Sequence, residues 1–250
     1  SVRASIPLTY YSTYGWPGKI LAKFHIQILK KFEHVISMSE SMSQQLKNFQ
    51  LNGLFQVGNF VDEENLHKER VQMDGREKNY TQLVFLGSMI KRKRIDLLIE
   101  AVKRLKYEKV PIKLDLIGDG PLKEAFKEKV IKLDLTNQIE FHGHLQNPFS
   151  ILQKSDYFVL PSIAEGVSRA SLEALYFGIP CVLRDIDANS ELITHGENGY
   201  LFKGDEEFID LLRKITTYEC KWSERKSLIP PFFRYDTSIG RLVKLINSCL

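Results

Sequence analysis

The sequence predicts an α/β fold in which a doubly wound parallel sheet is joined to a truncated second α/β domain. From about residue 80 onward, short β-rich runs alternate with helical stretches, which is typical of repeated βαβ units. Upstream, residues 62–80 are polar and charged without an apolar period, so they separate an early segment from the main sheet. The 250 residues, 43% of them hydrophobic, suffice to bury one domain plus part of another. The predicted units are a domain remnant over 1–62, a linker over 63–80, the main sheet domain over 81–234 and a closing helix over 235–250.

Short runs rich in β-branched and aromatic residues predict the strands. They are HVISM at 34–38, LFQVG at 54–58, QLVFLG at 82–87, IKLDLIG at 112–118, QIEFHG at 138–143, DYFVLPS at 156–162 and PCVLR at 180–184. Helices fit at Asp96–Tyr107, Leu122–Leu133, Ser168–Phe177 and Glu206–Ile215. The closing helix over Thr237–Ser248 is amphipathic and carries Ile239, Leu242, Val243 and Ile246 on one side. Ligands bind beyond the carboxyl ends of parallel strands, so the loops that follow the strands are the candidate sites.

A basic and aromatic stretch near the amino end, TYYSTYGWPGKILAKFHIQILKK, has two interpretations. It fits an interfacial membrane contact, or a packed helix with Leu21, Phe24, Ile28 and Phe32 inward, and we favour packing. No apolar run approaches the roughly 18 residues of a membrane span, and the amino end lacks the apolar region of a signal peptide. The first residue is not Met, and the opening resembles the middle of a domain, so we expect a fragment or a processed product.

The net charge and the cysteine content limit the kinds of ligand and the cellular compartment that the sequence predicts. A net charge of +4 favours anionic ligands or an anionic bilayer surface, but it falls far short of the usual excess of a nucleic-acid binder. Cys181, Cys220 and Cys249 are odd in number and show no metal-ligand or CxxC spacing. They therefore predict free thiols in a reducing compartment, and we expect the cytoplasm.

The run EGVSRASLE predicts an anion site at the mouth of a helix. Ser168 fits the N-cap, so the amides of Ala170 and Ser171 would point outward and, with the helix dipole, attract a phosphate. Glu173 lies roughly 7 Å further along the axis, at about 1.5 Å per residue, where a sugar hydroxyl attached to that phosphate would be. The spacing suits a ribose diphosphate. The alternative is that Glu173 lies on a solvated stripe of a packed helix.

Two further loops at strand ends carry candidate residues. Lys91, Arg92, Lys93 and Arg94 lead into a helix, where cations would neutralise a pyrophosphate and stabilise it as a leaving group. We expect one of the four to point inward; the alternative is a solvated helix start. The second loop, GDGP at 118–121, predicts a tight turn that lets a ligand approach the backbone.

Two sequence patterns are also compatible with a metal site. Asp185, Ile186 and Asp187 match the DxD pattern of metal-dependent sugar transfer, but we favour a plain loop after a strand. His142 and His144 alternate at a strand end and offer two zinc ligands, but the sequence shows no third ligand nearby, so we favour base contact or packing.

Taken in order, these blocks resemble the carboxyl-terminal domain of the retaining glycosyltransferases of family 4, which have the GT-B fold. FLGSMIKRKRIDLLIEAV is similar to the family's strand, phosphate loop and helix, and the later blocks are LIGDGPLKEAF, IEFHGHL, DYFVLPSIAEGVSRASLEALYFGIPCVLRDI and ENGYLF. Glu165 and Glu173 fit its paired-glutamate motif, with seven residues between them. HVISMSESMSQQL and GNFVD resemble the end of the family's amino-terminal, acceptor-side domain. The resemblance implies the Rossmann-like carboxyl-terminal half of that fold.

The resemblance also implies transfer of a sugar from a nucleotide diphosphate, expected to be a UDP-sugar, with retention and without a metal or other cofactor. Lys93 falls where the family keeps a lysine on the donor diphosphate, and Glu165 would contact the sugar hydroxyls; these are the catalytic candidates. Glu173 would contact the ribose, the amides near Val167–Arg169 the phosphates, and the backbone near His142–His144 the base. The donor-binding candidates are Gly87, Ser88, Arg92, Gly118, His142, Gly143, Gly166, Val167, Ser168, Arg169 and Glu173.

The implied partners are a nucleotide-diphosphate sugar and a glycan or lipid-linked acceptor of surface polysaccharide or lipopolysaccharide biosynthesis. We expect a cytoplasmic protein at the inner face of the plasma membrane, with peripheral contact to it, and no nucleic-acid partner.

The chain departs from the family's pattern at two places. Ser88 stands where the family usually has an Arg, and Arg92 or Arg94 would supply the lost charge. The family's glycine-rich acceptor loop and amino-terminal histidine have no counterpart, which predicts a donor-binding half. Two alternatives remain: a catalytically incomplete module that binds nucleotide-sugar, and a nucleotide-sugar epimerase of related fold.

Overall fold

Two parallel sheets organise the chain in a computed structural model that describes residues 6–51, 53–71, 79–186, 189–217 and 226–248. The strands are β1 (Val35–Ser37), β2 (Leu54–Gln56), β3 (Thr81–Leu86), β4 (Ile112–Ile117), β5 (Ile139–Gly143), β6 (Tyr157–Leu160), β7 (Cys181–Arg184) and β8 (Gly199–Phe202). The helices are α1 (Ile6–Tyr14), α2 (Trp16–Leu29), α3 (Glu40–Lys47), α4 (Glu63–Lys68), α5 (Ile95–Tyr107), α6 (Lys123–Lys132), α7 (Phe149–Gln153), α8 (Arg169–Tyr176), α9 (Asn189–Leu192), α10 (Asp205–Thr217) and α11 (Tyr235–Ser248). Asp187, Cys220 and Cys249 lie outside the described residues.

The larger sheet has the strand order β5-β4-β3-β6-β7-β8, and every neighbouring pair in it is parallel. The strand order reverses between β3 and β6, which is where doubly wound sheets bind ligands. The predicted α/β class and all the predicted strands are confirmed, whereas the sequence prediction missed β8. Large apolar side chains such as Phe85 and Phe158 are fully buried in this core, together with the thiol of Cys181. Burial raises the pKa of that thiol well above its usual range.

The predicted helices are also confirmed, with α10 running slightly beyond its predicted bounds at each end. The closing helix α11 buries a different face from the predicted one. Ser238 and Leu245 are its buried residues, while Val243 and Ile246 are about half exposed. The apolar spacing thus identified the helix but not the side that packs.

The segment predicted as a linker contains the short helix α4. The Asp62 side chain accepts a hydrogen bond from the amide of Asn65 and so caps this helix. Leu66 is buried in the core of the larger sheet, so this end of the segment packs on that sheet. Residues 72–78 of the segment lie outside the described part of the chain.

The amino-terminal region contains α1, α2, α3 and the two-stranded sheet of β1 and β2. The prediction that Leu21, Phe24, Ile28 and Phe32 point inward is wrong, because all four are exposed. Instead α2 buries Gly18, Ala22 and Ile26. The reason is steric: a Cβ at position 18 would overlap the backbone carbonyl of Tyr10 in α1, so the helix pair closes on its smallest residues. No helix in the described ranges combines the length and the apolarity needed to cross a bilayer.

Candidate functional site

The candidate site lies where the strand order of the larger sheet reverses, between the loops that follow β3 and β6. The first loop turns into a short 3₁₀ helix, Lys91–Lys93, before α5 begins. The second loop runs from Pro161 to Ser168 at the start of α8. The amide of Ile163 donates to the carbonyl of Arg92 at 3.0 Å, so the two loops are bonded to each other.

Glu165 and Lys93, the two catalytic candidates, meet at this junction. Lys93 Nζ lies 2.6 Å from Glu165 Oε1, and Arg92 Nη1 lies 3.0 Å from the same oxygen. Glu165 is 8% exposed, and neither cation meets its Oε1 at a hydrogen-bond angle, so these contacts are ion pairs. Arg92 also donates to the carbonyl of Ala164. A buried carboxylate therefore faces two cations whose charge a ligand anion would compete for.

The four cations of the first loop separate into two groups. Arg92 and Lys93 point to Glu165, so two of them turn inward rather than the single one expected. Lys91 is exposed, and Arg94 pairs with Asp96 and Asp205 on the far side of the turn. Of the two arginines considered as substitutes for the charge missing at position 88, Arg92 is the one that faces the site.

The mouth of α8 has the expected cap. Ser168 adopts extended backbone dihedrals, and its Oγ accepts a hydrogen bond from the amide of Ser171 at 3.3 Å. The amide of Ser171 is therefore occupied, contrary to the expectation that it points outward. Because the first amides of a helix have no intrahelical acceptor, those of Arg169 and Ala170 remain to face an anion. Gly166 and Val167 are buried immediately before the cap.

Glu173 is buried inside α8, so the solvated-stripe alternative is wrong. It is 9% exposed, and its partner is Arg169 one turn earlier, whose Nε lies 3.2 Å from Glu173 Oε1. Burial raises the pKa of the Glu173 carboxyl above its usual range, and the charge of the exposed Arg169 offsets only part of this effect. A buried carboxylate with one exposed partner is suited to accept hydrogen bonds from ligand hydroxyls.

Glycines at the ends of three adjacent strands form the floor beside these side chains. Gly118 after β4 adopts a φ of 132°, and a Cβ there would overlap the carbonyl of Gly87 after β3. The amide of Gly118 donates to the carbonyl of Gly143 at 2.7 Å, which joins the end of β5. The aliphatic chain of Lys93 runs close to Gly87, and Ser88 is exposed at the rim. The glycines thus allow the ends of the three strands to pack directly against one another, backbone on backbone.

The His142 side chain turns away from this floor toward β4. Its Nε2 lies 2.8 Å from Asp115 Oδ1, and Gln82 Nε2 donates to the other oxygen of Asp115 at 2.8 Å. Burial raises the pKa of Asp115, partly offset by its hydrogen bond with His142. The ligand atoms of Asp115, Glu140 and His142 lie within 4.8 Å of one another, whereas His144 is outside this group. Two candidate ligands therefore accompany His142: Glu140 on the same strand and Asp115 on the neighbouring β4, whereas His144 is not one of them.

Sequence reasoning missed two side chains that hold the second loop. Asn59 Nδ2 donates to the carbonyl of Val167 at 2.9 Å, and Arg184 Nε donates to that of Pro161 at 3.2 Å. Arg184 is buried and also pairs with Asp205 at 2.7 Å. The available sequence signal for Arg184 was its position as a lone arginine at the end of an otherwise apolar strand. Asn59 lies far away in the sequence and gave no such signal.

Comparison with known proteins places these features in a family context. The family profile described as "Glycosyl transferases group 1" matches residues 67–230. The N-acetyl-alpha-D-glucosaminyl L-malate synthase of Bacillus anthracis is 30% identical over 149 residues, which are 58% of this chain and 39% of that protein. The poly(ribitol-phosphate) alpha-N-acetylglucosaminyltransferase of Staphylococcus aureus is 26% identical over 185 residues, 72% of this chain and 36% of that protein. The chain thus spans less than half the length of these curated relatives.

Solved structures share the fold. A mutant of S. aureus TarM, in complex with Fondaparinux, alpha-GlcNAc-glycerol and UDP, superposes with a TM-score of 0.80 at 21% identity, covering 98% of this chain and 49% of that one. Anabaena Alr3699/HepE in complex with UDP superposes with a TM-score of 0.74 at 17% identity, covering 95% of this chain and 69% of that one. These likenesses establish the GT-B architecture of the larger sheet.

Proposed function

The chain belongs to the group 1 glycosyl transferases, and on that premise we propose that it transfers a sugar, with retention, from a nucleotide diphosphate to a glycan or lipid-linked acceptor. The observation that carries this proposal is the ion pairing of Lys93 and Arg92 with buried Glu165 at the point where the strand order reverses. We assign the chain to the family 4 branch, because its two buried glutamates flank the mouth of a capped helix.

In the proposed donor site, Lys93 and Arg92 exchange Glu165 for the diphosphate as their partner. In the free protein Lys93 and Arg92 neutralise Glu165. When a diphosphate enters, the two cations and the amides of the first turn of α8 bind its charge, and Glu165 becomes free to accept hydrogen bonds from the sugar hydroxyls. As the bond between sugar and phosphate breaks, negative charge grows on the departing diphosphate, and these fixed cations and dipoles stabilise it. Glu173 accepts from the ribose hydroxyls.

Transfer by this route requires neither a protein nucleophile nor a bound metal ion. The acceptor hydroxyl attacks from the face that the diphosphate leaves, which retains the configuration, and its proton passes to an oxygen of the departing diphosphate. The cations and amides supply the charge stabilisation that a divalent ion supplies in metal-dependent transferases. Cofactor-free transfer is therefore part of the proposal.

We propose a UDP-sugar as donor and surface polysaccharide or lipopolysaccharide biosynthesis as the process, at the cytoplasmic face of the plasma membrane. Two structural neighbours were solved with UDP, and a curated relative is named for transfer to poly(ribitol-phosphate), which supports both choices. In this proposal the uracil ring would lie beside the end of β5, where Gly143 is partly exposed.

Calorimetric titration with UDP and GDP tests the proposal. Lys93→Ala should weaken UDP binding by roughly ten-fold to a hundred-fold, because a hydrogen bond to a charged group contributes about 1.5 to 3 kcal/mol. Lys91→Ala is the matched control, since Lys91 is exposed in the same turn and should leave binding unchanged. No saturable binding of either nucleotide to the unmodified chain, or an equal loss in both variants, would contradict the proposal.

A second candidate is a nucleotide-sugar-binding module that does not catalyse transfer. The exposed Ser88 at the rim, where related proteins place an arginine, favours it. UDP binding without transfer to any acceptor, even after addition of a complementing acceptor domain, would identify this case. Release of free sugar without an acceptor would instead indicate an epimerase of related fold.

A further inference from the structure

One carboxylate is bonded to the supports of both loops that form the candidate site. Asp205 is the first residue of α10, which follows β8. Its Oδ2 accepts a hydrogen bond from Nη2 of Arg94 at 2.7 Å, and its Oδ1 accepts one from Nη2 of Arg184 at 2.7 Å. Arg94 ends the turn that carries Lys93, and Arg184 is bonded to the loop that carries Glu165. The two loops are therefore linked a second time, through Asp205.

Arg94 has a backbone conformation that is uncommon for its residue type. Its φ of 54° and ψ of 42° lie in the left-handed region, at the junction between the 3₁₀ turn Lys91–Lys93 and the start of α5. A non-glycine residue in this region is strained, and it persists only where the surrounding contacts fix it. Asp205 and Asp96 provide these contacts, since Asp96 Oδ2 lies 3.1 Å from Nε of Arg94. The guanidinium contacts thus fix the orientation of the turn that carries Lys93.

Arg184 connects the same carboxylate to the second loop. It ends β7 and is buried, with its guanidinium over the ring of Phe202. Its Nε donates to the carbonyl of Pro161 at 3.2 Å, and its Nη1 donates to the carbonyl of Lys203 at 2.8 Å. A buried guanidinium requires a compensating charge, and Asp205 supplies it. Asp205 and its two arginines therefore join the segments that follow β3, β6 and β8 to the end of β7.

Capping of α10 does not account for these contacts of Asp205. The amides of Lys203 and Gly204, which precede the helix, donate to Oε2 of Glu207 at 2.7 Å and 3.3 Å. Glu206 pairs with an arginine of α5, and its side chain is 74% exposed. The three acids in the first turn of α10 thus have different partners, and Asp205 is the one bonded to the supports of the site.

We propose that Asp205 is a positioning residue of the donor site, which keeps Lys93 and Glu165 close enough for one diphosphate sugar to contact both. It acts through Arg94 and Arg184 and does not touch the ligand. The inference rests on the proposed function, in which the diphosphate draws the cations of the first loop away from Glu165. That exchange breaks the direct ion pairs between the loops, whereas the link through Asp205 is unaffected. Loops that stay in place lose less conformational entropy on binding, so the affinity for the ligand is higher.

Titration of the full chain with UDP tests this role in a double-mutant cycle. Asp205→Asn keeps one oxygen to accept from buried Arg184, but it removes the charge that holds Arg94. UDP binding should weaken about ten-fold, because residues of one hydrogen-bonded network are coupled. In the Lys93→Ala background, the same substitution should weaken UDP binding by about two-fold at most, since the cation that Asp205 positions is absent. A purely structural role would give equal losses in the two backgrounds.

Glu206→Gln is the matched control, because it removes an exposed ion pair from the same turn of α10. It should bind UDP like the unmodified chain. Asp205→Glu restores the carboxylate and should bind UDP more tightly than Asp205→Asn. Arg94→Gln breaks the same link from its other end, so it should show the same loss and the same dependence on Lys93, which keeps the test valid if Asp205→Asn does not fold.

The outcomes separate this inference from the function on which it rests. Unchanged UDP affinity in Asp205→Asn and Arg94→Gln overturns the positioning role, and so does an equal loss in the Lys93→Ala background or in the Glu206→Gln control. In each of these cases, UDP binding by the unmodified chain would still support the proposed function. Absence of UDP binding to the unmodified chain would instead contradict the proposed function itself.

Discussion

The larger sheet and the amino-terminal region differ in how completely they bury their own apolar surface. In the larger sheet, helices cover both faces, as buried parallel strands require, and the core extends from Val61 to Phe233 among the described residues. In the amino-terminal region, the two strands are three residues long each, and the core consists of a few side chains around Ile26, Val35 and Leu46. The donor-site candidates lie in the first region, whereas the second region leaves several large apolar side chains of α2 exposed.

A small number of polar contacts join the two regions. The carboxylate of Glu191 in α9 accepts hydrogen bonds from the amides of Glu40 and Ser41, both at 2.7 Å. These amides open α3, so the carboxylate also faces the positive end of a helix dipole. This contact lies outside the two separate apolar cores, so the independence of the two regions is testable.

Equivalent side-chain truncations in the two cores should destabilise different regions of the chain. Phe158→Ala should lower the free energy of unfolding of the larger sheet by about 3 to 5 kcal/mol, because it leaves a cavity at a fully buried site. Leu46→Ala should cost about 2 to 5 kcal/mol, but only in the amino-terminal region. Hydrogen exchange would locate each loss, and UDP titration would report the donor site. If Leu46→Ala also exposed the amides of β3 and β6 to exchange, the two regions would be one cooperative unit.

Removal of the joining contact should affect the boundary alone. Glu191→Ala should weaken the attachment of α3 by about 1 to 3 kcal/mol, since two hydrogen bonds to a charged group are lost. Faster exchange of the Glu40 and Ser41 amides, with unchanged exchange in the larger sheet, is the expected result. Glu197→Ala, an exposed acid close by, serves as control and should change neither. A fall in stability of the larger sheet would contradict the separation.

The smallest expected effect concerns the pH dependence of nucleotide binding within the larger sheet. The pKa of Glu173 is raised, so its carboxyl takes up a proton at a pH higher than an exposed glutamate does. If the ribose hydroxyls donate to the ionised form, as proposed, UDP affinity should rise as pH increases through that raised pKa and fall as pH decreases through it. In Glu173→Gln this rise should disappear. The ratio of the UDP affinities of the unmodified chain and of Glu173→Gln, measured by titration from pH 4 to 7, cancels the effect of proton binding to UDP itself. A ratio that does not change with pH would exclude Glu173 from the ribose site.

The sequence predicted the strands well because their apolar runs are short and bounded by Gly and Pro. It missed β8, whose GYLF run begins with a glycine inside a polar neighbourhood. It also predicted the wrong buried faces for α2 and α11, because apolar periodicity identifies a stripe but not what lies against it. In α2 the close approach of Gly18 to α1 decides the packed side, and that approach is a tertiary property.

The candidate site could likewise be predicted from the sequence only in part. The cap at Ser168 follows from local spacing and was predicted. The meeting of Lys93 with Glu165 joins residues 72 positions apart, so only the resemblance to a family brought them together before the structure did. The bond from Asn59 to Val167 crosses an even longer stretch of chain and had no local signal.

The pairing of Lys93 with Glu165 has a consequence for selectivity. A cell contains abundant inorganic phosphate, which offers charge but few hydroxyl groups. If phosphate took both Lys93 and Arg92, it would leave the buried Glu165 carboxylate without compensation, and such a group is costly. A sugar attached to a diphosphate satisfies both partners at once. Under the proposed function, this ion pair would favour a nucleotide sugar over a small anion that brings no hydroxyl groups to Glu165.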